Sequence, residues 1–452
     1  MARVRTLFFC RECGNETARW EGQCPACGAW NTLVDAPAPA VRSSGARPIP
    51  SQTPTVVRLA DIEHSRVNRR RTGLSEFDFV LGGGIVPGSL LLVGGEPGIG
   101  KSTLLLQVAA RLEREGAGVL YVSGEESAGQ VRLRAERLDP AALDVPFLAE
   151  TSLDAILDEA SKRKPGILFI DSVQTVTAND TDGAAGSIAQ LRACAARVQR
   201  YAKIEDTAVV LVGHVTKDGS VAGPKALEHI VDTVLYFEDA PGADHRVLRA
   251  TKNRFGSADE IGVFRMTGAG LEPVENPSAL YLADRAENVA GSAVTPAIEG
   301  TRPLLVEVQA LCSRASYGAP QRVATGFDRQ RLALLLAVLE KRAGLAAGQF
   351  DVFLNVAGGA RLIEPAADLA VAVAVASSAQ DLPVPANAVF IGEVGLGGEL
   401  RNVGQMERRL AEAVRLGFDT AFVPAAAASV ARRGLRVRGM PDVPALLESV
   451  FT

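Results

Sequence analysis

Gly95-Glu96-Pro97-Gly98-Ile99-Gly100-Lys101-Ser102 is a complete G-x-x-x-x-G-K-[ST] loop, and its flanks decide the fold. Before it, Leu90-Leu91-Leu92-Val93 is a short apolar run that reads as a buried strand. After it, Thr103-Leu104-Leu105-Leu106-Gln107-Val108-Ala109-Ala110 reads as a helix. In that setting the glycines let successive backbone N–H groups wrap a phosphate at the helix N-terminus. Lys101 is then placed to reach the β- and γ-phosphates, and the Ser102 hydroxyl to ligate Mg²⁺. Gly95 to Thr103 are therefore the expected nucleotide-binding residues (Gly95, Glu96, Pro97, Gly98, Ile99, Gly100, Lys101, Ser102, Thr103), with ATP as the ligand. Against a chance Gly-rich turn stand the Lys-Ser pair and the strand and helix on either side.

Working outward, strands and helices alternate from about Val56 to Arg285. Val119–Ser123, Ile167–Asp171, Ala208–Gly213 and Thr233–Phe237 read as strands, with helices over Ser127–Leu138 and Ile188–Tyr201. Arg246–Ala250 and Gly262–Met266 read as closing strands. Continuous apolar strands between helices imply a mostly parallel sheet covered on both faces.

A nucleotide hydrolase also needs a carboxylate near the metal, a group to orient water, and positive charge for the γ-phosphate. Asp171, ending its strand, fits the first role, with helix capping as the plain alternative. Glu125 and Glu126 follow the strand ending at Ser123, where the carboxyl end of a parallel sheet faces its ligand; either could orient the attacking water. His214 could sense the γ-phosphate. Thr251-Lys252-Asn253-Arg254-Phe255-Gly256 sets two cations around an asparagine at a strand end, which is surface charge or a group supplied to a neighbour's γ-phosphate.

The 452 residues suggest about three domains. Composition is that of a globular chain, 47% hydrophobic and 22% charged. Aromatics make up only 5%, which argues against extended base-stacking platforms. The net charge of −4 does not advertise a nucleic-acid binder, so such binding must come from local patches or repeated sites in an oligomer. The N-terminus lacks a signal peptide's apolar stretch, and no apolar run is long enough to span a bilayer, which sets the cytoplasm as the expected location.

Cys10, Cys13, Cys24 and Cys27 form C-x₂-C-x₁₀-C-x₂-C, with Gly14 and Gly28 just after the second cysteine of each pair. That is the layout of a four-thiolate Zn²⁺ ribbon. Two disulfides are disfavoured by the lack of an export signal, and two symmetric knuckles favour metal over a redox dithiol. So small a module has no core of its own, and the metal folds it. Cys194 and Cys312 read as small core residues. Residues 35–55, rich in proline and small side chains, read as a linker.

The phosphate loop, the Gly124-Glu125-Glu126 turn, the Asp171-ending strand and the lead-in Thr72-Gly73-Leu74-Ser75-Glu76-Phe77-Asp78 resemble the RecA/DnaB-like ATPase superfamily. With the four cysteines and Lys252-Asn253-Arg254-Phe255-Gly256, nearly the whole chain resembles the RadA (Sms) family of bacterial DNA repair ATPases. The resemblance implies a DNA-dependent ATPase of homologous recombination, a hexameric helicase-like motor promoting branch migration. Its implied partners are single-stranded and branched recombination DNA, with a recombinase or replicative helicase docked on the zinc module. Lys101 and Ser102 become the Walker A pair, Asp171 the Walker B acid, and Glu125 the catalytic glutamate. Lys252 and Arg254 become cations acting across subunits or on DNA. Channel loops would match residues 174–187 and 216–228, the second carrying Lys217 and Lys225 as DNA-binding candidates; the first is acidic for that task. A KaiC-type signalling ATPase, acting on protein partners without DNA, is the alternative within the superfamily. The single ATPase domain, the zinc ribbon and the Lys-Asn-Arg-Phe-Gly string count against it.

From about Phe350 the chain resembles the Lon protease domain, which cleaves peptides with a Ser-Lys dyad. Here the serine position falls on Ala366 and the lysine position on Glu407, so the dyad fails twice and no peptidase activity is expected. Oligomerisation and a DNA-binding surface are the roles left for it, with Arg302, Arg314, Arg322, Arg329, Arg331, Lys341 and Arg342 as local positive charge or plain solvated surface. The expected architecture is thus an α/β RecA-like P-loop core with a mostly parallel sheet (56–285), an N-terminal four-cysteine zinc ribbon (1–34), a linker (35–55) and a Lon-protease-like α/β domain (286–452, core 350–452).

Overall fold

The computed structural model describes residues 8–10, 16–17, 19–25, 28–35, 58, 69–214, 224–239, 245–282, 285–286, 288–315, 319–430 and 432–452. Two compact units emerge. One comprises Met1–Arg71, Gly84–Pro97 and Lys101–Val234; the other comprises Thr72–Gly83, Gly98–Gly100 and Leu235–Thr452.

The first unit opens with β1 (Phe8–Cys10), β2 (Glu16–Thr17) and β3 (Leu33–Asp35), with β1 central and antiparallel to both neighbours. Cys10 and Cys24 are buried together against Leu33. A turn in which Cys24 N–H donates to Ala29 and Gly28 N–H to Cys24 forms the second knuckle. Cys13 and Cys27 lie outside the described residues.

After α1 (Ser75–Val80), a short helix of the second unit, come β4 (Leu90–Gly95), α2 (Lys101–Arg114), β5 (Val119–Ser123), α3 (Ala128–Leu138), β6 (Phe147–Ala149), α4 (Leu153–Arg163), β7 (Ile167–Asp171), α5 (Ile188–Glu205), β8 (Ala208–His214) and α6 (Pro224–Leu227). The strands run parallel in the order β4-β8-β7-β5-β6. Every residue of β4, β5 and β7 is buried, which is what uninterrupted apolar strands require when helices cover both faces. Helix starts are fixed locally. Ser127 and Gln130 form a capping box on α3, and Ser187 caps α5. Register then sets the site, because Gly95 pairs opposite His214 and Ser123 opposite Asp171 at the carboxyl ends.

In the second unit, β10 (His245–Asn253), β11 (Ile261–Thr267) and β12 (Gly270–Pro273) form an antiparallel meander after β9 (Thr233–Asp239). The lead-in sequence is held by side chains. Thr72 donates its N–H and hydroxyl to Asp78, and the buried Glu76 carboxylate accepts from Val263 N–H (2.9 Å) and Arg302 (2.6 Å). Beyond α7 (Pro277–Leu282) lie β13 (Ser292–Glu299), β14 (Arg302–Arg314), β15 (Arg322–Thr325), α8 (Arg329–Ala343), β16 (Phe350–Val356), α9 (Asp368–Gln380), β17 (Ala388–Phe390), β18 (Glu393–Val394), β19 (Leu400–Arg401), α10 (Met406–Arg415), β20 (Thr420–Pro424), β21 (Arg436–Met440) and α11 (Val443–Phe451). Seven of these strands make one mixed sheet, ordered β15-β16-β14-β13-β17-β20-β21. Residues Asp368 to Ser377 of α9 are all buried, which explains its Ala-Val composition as core rather than membrane. Among the described residues no helix is long and apolar enough to cross a membrane.

Candidate active site

The phosphate loop turns through left-handed backbone at Gly98 (φ +81°) and Gly100 (φ +112°), conformations in which side chains are strained. Lys101, the first residue of α2, is nearly inaccessible and donates its ammonium to the carbonyls of Gly95 (2.8 Å) and Glu96 (2.9 Å). Burial lowers its pKa to about 8, against the raising influence of Asp171 and Glu125.

Asp171 ends β7, buried, and accepts from the Tyr121 hydroxyl at 2.8 Å and from Ser102. Burial pushes its carboxyl above the usual range, and the charges of Glu125 and Glu126 add to this, so the site is short of positive charge. A hydroxyl and a buried carboxylate in contact are hard oxygen donors of the kind Mg²⁺ takes. The residues present therefore fit a magnesium–nucleotide complex.

The adjacent glutamates part company. Glu126 is held by Arg134 in a two-pronged pair, at 2.6 Å and 2.5 Å. Glu125 instead meets the other site groups. The Ser172 hydroxyl donates to it, and His214 Nε2 lies 3.2 Å from both its oxygens. The His214 contact is the main cause of a depressed Glu125 pKa; burial opposes it, and Ser172 and the charge of Lys101 assist. Behind them Gln174 donates to the His214 carbonyl.

The structure thus brings together Lys101, Ser102, Glu125, Asp171 and His214. Three residues that sequence reasoning passed over complete the set. Ser172 and Tyr121 each hold a carboxylate, and Arg134 withdraws Glu126. A tyrosine inside the apolar run Val119-Leu120-Tyr121-Val122 was the available signal for one of them.

Lys252 lies half-buried on β10 and Arg254 is exposed just past its end, both in the second unit. Their loop is shaped by Asn253, whose side-chain oxygen accepts from Phe255 N–H (3.0 Å) and whose amide donates toward Leu81. A side chain at Gly256 would meet that amide at 2.9 Å, so the Asn and Gly of the string belong together.

The acidic stretch 174–187 is tied down. Buried Gln190 bonds both N–H and C=O of Ala178, and Arg197 bridges Asp154 and Asp180. Lys217 lies outside the described residues; Lys225 stands on α6. In the C-terminal domain, Ala366 is buried and Glu407 exposed. Buried Arg409 binds Glu364 through both prongs (2.7 Å and 2.5 Å), and Glu364 also accepts from Ile298 N–H.

Residues 54–220 match the family model of an AAA domain, residues 8–35 that of a rubredoxin metal binding domain, and residues 328–427 that of subunit ChlI of Mg-chelatase. The chain is 47% identical to the DNA repair protein RadA of Bacillus subtilis, over 99% of either chain. The chain belongs to the RadA family. The RadA of Listeria monocytogenes is 49% identical over 94% of this chain and 93% of its own. Among solved structures, the RadB recombinase aligns at 24% identity with 45% of this chain and 99% of its own, TM-score 0.36. RadA membership and the AAA match make the middle region an ATPase domain, and the RadA zinc ribbon and C-terminal domain complete the expected α/β architecture.

Proposed function

We propose that this chain is a DNA-dependent ATPase that works as a ring of six on recombination intermediates, driving branch migration along single-stranded DNA. The observation that carries the catalytic part is the clustering of Glu125, Ser172 and His214 beside Lys101 and Asp171. Lys101 leaves the Gly95 and Glu96 carbonyls to meet the β- and γ-phosphates. Ser102 and Asp171 hold Mg²⁺, which when bound neutralises charge developing on the transferring phosphoryl group. Glu125, kept ionised by its partners, orients the attacking water and takes its proton. Glu126 is a structural anion for Arg134.

Lys252 and Arg254 supply cations to a neighbouring subunit or to DNA. Lys217 and Lys225 are the DNA contacts of the loop after His214. Four cysteines (Cys10, Cys13, Cys24, Cys27) hold Zn²⁺ in a module that docks a recombinase or helicase partner. With alanine at 366 and glutamate at 407, the C-terminal domain serves assembly and has no peptidase activity.

ATP turnover measured with and without single-stranded DNA across a salt series tests this reading. Stimulation that weakens with salt supports it, the slope counting phosphate contacts. Equal rates and no retained oligonucleotide would refute DNA dependence. Normal turnover by Lys101→Ala would refute the site.

A further inference from the structure

Tyr121 is placed where phenylalanine would serve equally well for packing. It is 1% exposed, in mid-strand between Leu120 and Val122, with its ring stacked near Phe147 (6.5 Å) and Phe169 (5.8 Å). Its hydroxyl donates to Asp171 Oδ2 at 2.8 Å. A carboxylate with one oxygen fixed in this way cannot swing, because the donor sits on a ring wedged between two others and between buried strands. Asp171 then meets the Ser102 hydroxyl in one orientation. Groups behind a metal site commonly set the orientation of the ligand in front of them.

We propose that Tyr121 is a positioning residue for magnesium, anchoring Asp171 so that the Asp171–Ser102 pair is preset for a Mg²⁺–nucleotide complex. The proposal rests on the assignment of Asp171 to the metal side of the site. A purely structural hydroxyl, present only to satisfy itself, predicts a stability effect and nothing more.

Tyr121→Phe keeps the ring and removes one oxygen. The full-length variant is titrated with a fluorescent ATP analogue over a Mg²⁺ series and in EDTA, with thermal melting in parallel. The Mg²⁺ concentration giving half-maximal nucleotide affinity is expected to rise about tenfold, the usual effect of losing such a supporting group. Affinity in EDTA is expected to stay at the wild-type value. An unchanged Mg²⁺ dependence, with loss confined to the melting temperature, overturns the proposal. Asp171→Asn is measured beside it. If that variant also leaves the Mg²⁺ dependence unaltered, the assignment of Asp171 itself fails and the proposal falls with it. A shift in Asp171→Asn alone removes only Tyr121 from the metal's support.

Discussion

Glu125 and Glu126 are consecutive in the chain, yet Glu126 gives both oxygens to Arg134 while Glu125 gives its own to Ser172 and His214. A bidentate guanidinium pair fixes a carboxylate in place, with both oxygens turned to its partner. A carboxylate between a hydroxyl and an imidazole keeps acceptor capacity and stays ionised.

The expected outcome is that Glu125→Gln lowers ATP turnover by about 100-fold or more, the usual contribution of a positioned base. Glu126→Gln changes turnover little and lowers the melting temperature instead. Steady-state ATPase rates and thermal melts on both variants check this; equal catalytic losses would reverse the assignment. Ser172→Ala, which leaves His214 in place, is expected to fall between them.

Lys252→Ala is expected to keep nucleotide affinity and lose DNA-driven turnover. A cation supplied across a subunit boundary stabilises the transition state and not the ground state, and such groups are worth about 10³-fold or more. Binding of a fluorescent nucleotide and DNA-stimulated turnover separate the two. A variant that binds ATP poorly but works normally per bound nucleotide would contradict it.

Much of this architecture was legible because its signals are local. The phosphate loop names its own strand and helix, and β5, β7 and β8 are unbroken apolar runs whose ends carry Ser123, Asp171 and His214. What sequence could not supply is which side chains meet across strands. Ser172 and Glu125 are far apart in the chain and join only because β5 and β7 are parallel neighbours in register. Arg134, a turn or two into α3, looks like any solvated helix cation until it reaches back to Glu126. The stretch 174–187 is a loop, as its polar, Gly-containing sequence suggests, but the Gln190 and Arg197 ties that hold it come from the following helix and leave no mark in the loop's own residues.

A pH dependence follows from Glu412 on α10. Its burial pushes the carboxyl up, but hydrogen bonds from Arg415 and Ser278, with the charges of Arg415 and Arg302, outweigh this and hold it below the ordinary value of 4.5. Ser278 donates at 2.6 Å, tying α7 to α10. A depressed folded-state pKa contributes stability that is present above the unfolded pKa and lost as pH falls through the folded one. Wild type should therefore exceed Glu412→Gln by about 1–3 kcal/mol at pH 7, the worth of hydrogen bonds to a charged group. The gap should close on acidification below about pH 4.5. Denaturant melts at pH 7 and pH 4 test this, and a gap that widened in acid would show that the sign is wrong.

The N-terminal module carries its own reporter. Trp20 and Trp30 are the chain's two tryptophans, the first between the two cysteine pairs and the second just beyond Cys27. Trp20 donates its indole N–H to Leu33 (3.0 Å) on β3, and Trp30 lies against Gly22. Both contacts depend on the short strands staying folded around Cys10 and Cys24, a cluster with too few apolar groups to persist unaided. Both rings are already exposed, so removing zinc with a chelator should break the Trp20–Leu33 hydrogen bond and change the intensity of the tryptophan emission. Nucleotide binding, assigned to residues at the carboxyl ends of the buried strands β4 and β7, should remain. Re-addition of Zn²⁺ should restore the emission, because metal-binding energy is the folding energy of such a module. Emission that stays unchanged when the metal is stripped would show that the ribbon folds without it.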